Sequence, residues 1–272
     1  MKKNEIIKKI IKIIKFGCLL ALLFFTICSA QITPPLTAEE QKYSINNNLE
    51  YESDSVNEFI IYRAYVVKYD KKNHIPSFTI HNLLPKDFIT EVKAKRRSTF
   101  YIDEYNLGNV SATNADYKLS GYDRGHMVPA GDFDSDQLLK DETFYLTNIC
   151  PQSANLNRGI WKNLEDAIRE KTAKYKCAGI IITGSIVDSI NQETIGMNKV
   201  QVPSYYYKII FYPDSLKMYA FLFSNHMDYY TGDIENYQVR VDDIELITHE
   251  NFFDKLEANI QADLEAQKSK FR

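Results

Sequence analysis

One stretch reads Gly121-Tyr122-Asp123-Arg124-Gly125-His126-Met127-Val128-Pro129-Ala130, and it places an acid, a cation and an imidazole within four positions. If the segment is extended, side chains alternate between two faces, so Arg124 and His126 point to the same side. A guanidinium binds phosphate oxygens, and a neutral imidazole can take a proton from water near neutral pH. The stretch therefore predicts phosphodiester chemistry with His126 as general base, ionising near the ordinary histidine range. Gly125 removes a side chain where a substrate backbone would approach.

A second stretch, 26 to 39 residues further along, supplies candidate metal ligands. Apolar residues at helical spacing predict an amphipathic helix from Arg158 to about Tyr175. In such a helix, Asn157 and Glu165 lie about 80° apart around the axis, so both can face one site. An amide oxygen and a carboxylate are hard ligands that favour Mg²⁺, with Mn²⁺ as a substitute, over zinc.

The order of several short motifs resembles the DNA/RNA non-specific endonucleases of the endonuclease G type, which use a ββα-metal (His-Me finger) site. The resemblance covers roughly Ile60 to Phe253. Besides the first stretch, the motifs that carry it are Ala112-Thr113-Asn114-Ala115-Asp116-Tyr117, Glu142-Thr143-Phe144-Tyr145-Leu146-Thr147-Asn148-Ile149, Pro151-Gln152, Leu156-Asn157-Arg158, Trp161, Leu164-Glu165, Thr183-Gly184, Val202-Pro203 and Val241-Asp242-Asp243-Ile244-Glu245.

The resemblance implies an α+β fold, in which helices flank a central antiparallel β-sheet that carries the ββα-metal motif. It also implies that Asn157 holds a hydrated metal and that Glu165 fixes the metal's waters. Asn148 would help to order the site and Arg124 would bind phosphate. The implied products are nucleic-acid fragments with 5′-phosphate ends.

Four cations lie within five positions, and the same resemblance implies that one of them contacts phosphate. They are Lys93, Lys95, Arg96 and Arg97, followed by Phe100 and Asp103. Such runs are usually solvated loops. The phosphate contact is either Arg96 or Arg97, and we favour Arg97.

The N-terminus has the pattern of a secretory signal. Six lysines precede an apolar run from Phe16 to Ile27, and Cys28-Ser29-Ala30 provides small residues before Gln31. We therefore predict a signal peptide at 1–30, an irregular lead-in at 31–57 and an endonuclease domain at 58–272, in a secreted or periplasmic protein. No stable membrane partner is expected after cleavage. Removal of 1–30, which carries six Lys and one Glu, would change the net charge from −3 to −8, so any basic surface must be local.

Short apolar and aromatic runs predict the sheet. One strand is expected from Phe59 to Val67, with a partner from Ser77 to Leu84, and further strands at 179–187, 205–212 and 218–223. Helices are expected at 242–248 and 254–268. Trp161 is assigned to the core, and His74 and His81 to structural or solvated positions. Cys150 and Cys177 either form a disulfide or stay free, and we favour free, buried thiols.

These patterns predict a metal-dependent endonuclease that acts on both DNA and RNA. Two alternatives stay open: an inactive nucleic-acid-binding relative, and a metal phosphodiesterase that acts on a small diester. The binding protein would have no need for His126, Asn157 and Glu165 together. The sequence leaves the oligomeric state open, a homodimer included.

Overall fold

The computed structural model of the chain describes residues 57–104, 107, 111–188, 193–226, 230 and 232–272. The predicted signal peptide at 1–30 and all of the lead-in before Asn57 lie outside the described residues. Both stay predictions.

In the described part of the chain, seven antiparallel strands form the central sheet, in the order β1-β2-β3-β6-β9-β10-β11. Two further antiparallel pairs, β4–β5 and β7–β8, lie outside it. The strands are β1 (Asn57–Ile61), β2 (Val66–Asp70), β3 (Ile75–Leu83), β4 (Asp123–His126), β5 (Ile149–Gln152), β6 (Gly179–Ile186), β7 (Thr194–Ile195), β8 (Val200–Gln201), β9 (Tyr205–Tyr212), β10 (Lys217–Ser224) and β11 (Gln238–Val239).

Helices cover both faces of this sheet. They are α1 (Pro85–Phe88), α2 (Asn114–Tyr117), α3 (Gln137–Glu142), α4 (Trp161–Tyr175), α5 (Val241–Thr248) and α6 (Ala258–Glu265). The predicted α+β architecture is confirmed. The C-terminal helix is shorter than the predicted 254–268, since it runs only from Ala258 to Glu265. Among the described residues, no helix combines the length and apolar character needed to cross a membrane.

Alternation along the central strands explains the two-sided core. Tyr206 and Ile210 of β9 pack in the same cluster as Trp161 of α4, while Ile209 packs with Ile244 of α5 on the opposite face. Because successive side chains of a strand point to opposite faces, a sheet covered on both sides needs nearly continuous apolar runs. This is the pattern from which β6, β9 and β10 were predicted, and their bounds agree within about one residue.

The first predicted strand is two strands. Between β1 and β2 the chain reverses at Tyr62–Tyr65, where Tyr62 N donates to Tyr65 O over 2.8 Å. Both tyrosines are buried, with ring centroids 4.7 Å apart. The prediction of one strand was wrong because this turn contains core aromatic residues instead of Gly, Pro or Asn.

Candidate active site

The first motif forms one strand of a two-stranded ribbon. In this ribbon β4 pairs with β5, with His126 opposite Ile149 and Gly125 opposite Cys150. A Cβ at Gly125 would lie 2.4 Å from Gln152 Oε1 and 2.6 Å from Gln152 Cβ. The space at Gly125 is therefore filled by Gln152. Our prediction that it admits a substrate backbone was wrong.

Two phenylalanine rings enclose the imidazole of His126. Its ring centroid lies 5.3 Å from that of Phe100 and 5.1 Å from that of Phe144. The residue as a whole is half-buried, but Nε2 is buried and has no hydrogen-bond partner among the described residues. Burial, with a smaller contribution from the Arg96 charge, lowers the pKa of His126 to about 3. The expected ionisation near the ordinary histidine range is thus corrected: the imidazole is neutral throughout the usual working range.

Arg124 shares the aromatic surroundings of His126. Its guanidinium lies 5.6 Å from the ring centroids of both Phe100 and Tyr117, and Nη2 donates to Asn114 O over 3.0 Å. Arg124 and His126 both contact Phe100, as expected for alternate residues of one strand. Nε of Arg124 is buried without a hydrogen-bond partner in the described part of the chain, so a donor remains for an anionic ligand.

Of the two candidate arginines, Arg96 lies at the site. Its guanidinium is 5.3 Å from the Phe144 ring centroid, and its charge acts on His126. Arg97 instead forms a two-point ion pair with Asp141 of α3. The preference for Arg97 is therefore corrected, since its guanidinium is already occupied by a carboxylate.

Asn148 fixes the chain that follows His126. Its Oδ1 accepts from Val128 N over 2.9 Å, and its Nδ2 donates to Val128 O and Thr143 O over 3.0 and 2.8 Å. Its backbone O accepts from Met127 N over 2.9 Å. The residue is fully buried. It lies in a short 3₁₀ turn, Leu146–Asn148, directly before β5. With its amide fully used, Asn148 orders the site and does not reach a ligand.

Asn157 lies in a turn, Leu156–Ile160, directly before α4, and the backbone of this turn is kinked at Gly159, with φ of −104° and ψ of −113°. Its Nδ2 donates to Asp123 Oδ2 over 2.9 Å, and Arg158 donates to both oxygens of the same carboxylate over 2.7 and 2.5 Å. Desolvation by burial raises the pKa of the Asp123 carboxyl group. The hydrogen bonds from Arg158 and Asn157 lower it, Arg158 more than Asn157, and together they outweigh desolvation, so the pKa of Asp123 is lowered. The predicted α-helix from Arg158 begins at Trp161, and the angle of about 80° between Asn157 and Glu165 does not apply across the kink at Gly159.

Glu165 projects from α4 into a buried group of charges. It interacts electrostatically with the Lys208 ammonium, and Lys208 Nζ donates to Thr183 Oγ1 over 2.8 Å and to Met127 O over 3.4 Å. Desolvation raises the pKa of Glu165 and lowers that of Lys208, because burial penalises both charged forms. Lys208 therefore connects the chain after His126 to the region of Glu165. No hydrogen bond joins His126 to Asn157 or Glu165 within the described residues.

The polar atoms left without partners fit a hydrated hard cation. Asn157 uses its Nδ2 on Asp123 and so retains Oδ1 as an acceptor. The Glu165 carboxylate forms no hydrogen bond or ion pair in the described part of the chain. Both amide atoms of Gln152, which is 1% exposed, also lack partners there. Oxygen acceptors with an unsatisfied amide suit Mg²⁺ that keeps most of its waters.

Sequence reasoning assigned no role to three residues that shape this site. They are Gln152, Lys208 and Asp123. Gln152 belongs to the Pro151-Gln152 motif, so the sequence indicated that this residue could matter for the site. Lys208 follows three tyrosines and precedes two isoleucines in an apolar run, and a buried cation in such a run is itself unusual.

The remaining assignments agree with the structure. Trp161 is 1% exposed in the core. His81 is buried and its Nε2 lies 2.9 Å from Asp132 Oδ2, a structural role as predicted. Cys150 and Cys177 are free and buried, so the preferred alternative is confirmed.

Comparison with known proteins shows which family the chain is similar to. A model of the DNA/RNA non-specific endonuclease family matches residues 43–259. Nuclease C1 of Cunninghamella echinulata var. echinulata is 31% identical over 220 residues, which is 76% of this chain and 87% of the relative. A mitochondrial nuclease EXOG of Danio rerio is 32% identical over 216 residues, 75% of this chain and 63% of the relative.

A solved structure also matches. The crystal structure of the EndoG/EndoGI complex gives a TM-score of 0.66 at 29% identity, covering 73% of this chain and 86% of that chain. The chain spans less than two thirds of the length of the EXOG relatives from Danio rerio and Mus musculus. Since the family model covers most of the sequence, the chain belongs to the DNA/RNA non-specific endonuclease family and is a nucleic-acid hydrolase.

Proposed function

We propose that the protein is a secreted or periplasmic, Mg²⁺-dependent endonuclease that hydrolyses DNA and RNA and leaves 5′-phosphate ends. The observation that carries the proposal is the buried Nε2 of His126, which has no hydrogen-bond partner among the described residues and lies beside the guanidinium groups of Arg124 and Arg96. A neutral base next to two phosphate-binding cations is what phosphodiester hydrolysis requires.

In this proposal His126 takes the proton from the attacking water. The imidazole is already neutral because Phe100 and Phe144 enclose it. The same rings limit its rotation, so its free nitrogen keeps one direction. Arg124 and Arg96 bind the non-bridging phosphate oxygens and stabilise their charge as the phosphorus becomes five-coordinate.

Asn157 and Glu165 would hold Mg²⁺, Asn157 through Oδ1 and Glu165 through the metal's waters. When bound, the ion supplies positive charge for the phosphate oxygens and for the leaving 3′ oxygen. Asp123 orients the Asn157 amide from behind, which leaves its oxygen for the metal. The oxygen donors support Mg²⁺ as the metal, and Mn²⁺ is expected to substitute.

Low sequence preference and action on both sugars follow from the nature of the contacts. The site's cations address phosphate, which carries no base information.

Export is proposed from residues 1–30. N-terminal sequencing of protein from the extracytoplasmic fraction is expected to begin at or within a few residues of Gln31. Recovery of full-length protein only in the cytoplasm would contradict export without affecting the catalytic proposal.

The decisive experiment incubates the purified protein with plasmid, single-stranded DNA, RNA and a small diester, with Mg²⁺ or with EDTA. Cleavage of all three nucleic acids in Mg²⁺, none in EDTA, and ligatable 5′-phosphate ends are expected. Binding without cleavage would favour the inactive relative, and cleavage of the small diester alone would favour the phosphodiesterase.

A further inference from the structure

Two loop tips beside the site expose large apolar side chains almost completely. Leu119 is 97% exposed and Met197 is 98% exposed. Single exposed apolar residues are common and need no explanation. These two, however, lie on loops that are joined to each other and to Arg124.

A single carboxylate joins the two loops. Asp116 accepts hydrogen bonds from Thr113 N and Oγ1 on its own loop, and from Asn198 N and Nδ2 on the β7–β8 turn. A Cβ at Gly196 would lie 2.2 Å from Asp116 Oδ1, so the turn fits closely against this residue. Asp116 therefore fixes the β7–β8 turn against helix α2, and the two together form one unit.

This unit is continuous with the phosphate-binding side of the site. Helix α2 supplies Tyr117, whose ring lies under the Arg124 guanidinium, and Asn114 O, which accepts from Arg124 Nη2. Leu119 follows two residues after Tyr117. A polymeric substrate that is bound at Arg124 and extends along helix α2 would contact the two loop tips next.

Each tip combines its apolar side chain with a lysine. Lys118 precedes Leu119 and Lys199 follows Met197 by two positions, and both lysines are exposed. The nearby Glu193 is hydrogen-bonded to Tyr122, and Asp116 is buried. Leu119 and Lys199 adopt left-handed backbone conformations, with φ of 58° and 53°. Such conformations are unfavourable for residues with a side chain and are retained where the surroundings fix them.

We propose that Lys118, Leu119, Met197 and Lys199, here called the rim, form a second nucleic-acid contact beyond the scissile phosphate. Each lysine pairs with a flanking phosphate, and each apolar side chain packs against the sugar or base between phosphates. This rests on the proposed function. A second copy of the chain fits the rim less well, because a two-fold contact would bring these lysines together.

The test compares Lys118→Gln/Lys199→Gln and Leu119→Ser/Met197→Ser with wild type, and uses Leu246→Ser as control. Leu246 is 77% exposed on α5, outside the rim. For long duplex DNA we expect KM to rise about tenfold in each double variant, with kcat unchanged. For bis(4-nitrophenyl) phosphate we expect no change in either constant. The lysine variant should also reduce the slope of log KM against log salt by about two.

Unchanged KM for long DNA in both double variants, with wild-type melting curves, overturns the rim. Equal loss on the small diester also overturns it, because the effect then lies at the catalytic centre. If the variants separate a dimer in sedimentation while KM stays constant, the rim joins copies and does not bind nucleic acid. A wild-type protein that cleaves no nucleic acid refutes the proposed function instead.

Discussion

The substitution His126→Asn tests whether the aromatic enclosure sets the charge state of the imidazole. The pKa of His126 is about 3 in the folded protein and about 6.5 in an unfolded chain. Because the unfolded state binds the proton more tightly, the stability from neutral His126 is fully present above the unfolded pKa. It is lost as pH falls from about 6.5 towards about 3.

The magnitude follows from these two pKa values. Between about pH 7.5 and about pH 5, the histidine protonates in the unfolded chain only, which lowers the free energy of unfolding by about 2 kcal/mol. For a domain of about 200 residues this equals a change in Tm of about 4 to 8 °C. Asn does not titrate, so this decrease in the free energy of unfolding is absent from the His126→Asn variant.

The measurement is urea unfolding at both pH values in EDTA, for wild type, His126→Asn and the control His249→Asn. Comparison with a variant is required because Glu165 changes the free energy of unfolding with pH in the opposite direction to His126. Its pKa is raised on folding, so its contribution is present at low pH and is lost as pH rises through the folded pKa. His249 is exposed at the end of α5 with φ of 58°, which Asn tolerates.

We expect wild type and the control to lose about 2 kcal/mol more than His126→Asn on acidification. In activity assays, His126→Asn should reduce kcat by a hundredfold or more. The pH profile of kcat/KM for the wild-type protein should show no inflection near about pH 6.5. Equal acid sensitivity in all three proteins would refute the reasoning, because the imidazole would then be solvated.

Asn157→Ala should reduce activity at low Mg²⁺ and recover part of it at high Mg²⁺, since the change weakens ion binding; a loss independent of Mg²⁺ in a titration would contradict this. Gly125→Ala should lower the free energy of unfolding by about 1 to 3 kcal/mol, because the new Cβ would lie 2.4 Å from Gln152 Oε1; denaturant unfolding indistinguishable from wild type would show that Gln152 moves freely. Cys150 and Cys177 should react with a thiol reagent only after denaturation, since both are buried and burial raises the pKa of the Cys150 thiol to about 12; rapid labelling of native protein would disprove this burial.

The sequence predicted elements whose signal is local. The packed face of α4 and the runs of β9 and β10 follow from periodicity, and the ordered motifs indicated His126 and Asn157 as candidate site residues. Interactions between distant segments were not predicted. Lys208 reaches Met127 O across 81 residues, and no local pattern records that pairing. Which of two adjacent arginines faces His126 depends on Asp141, 44 residues beyond Arg97.

The kink at Gly159 separates the position of Asn157 from the packing of α4. Because the backbone leaves the helical region there, with φ of −104° and ψ of −113°, the turn that carries Asn157 can change while Trp161 and the packed face of α4 stay in place. Under the proposed function, a one-residue deletion between Asn157 and Trp161 would move Asn157 away from Asp123 and preserve the fold. We therefore expect gene duplicates that have kept the fold but abandoned cleavage to differ in length in this segment, a difference that genome comparison can detect without any assay.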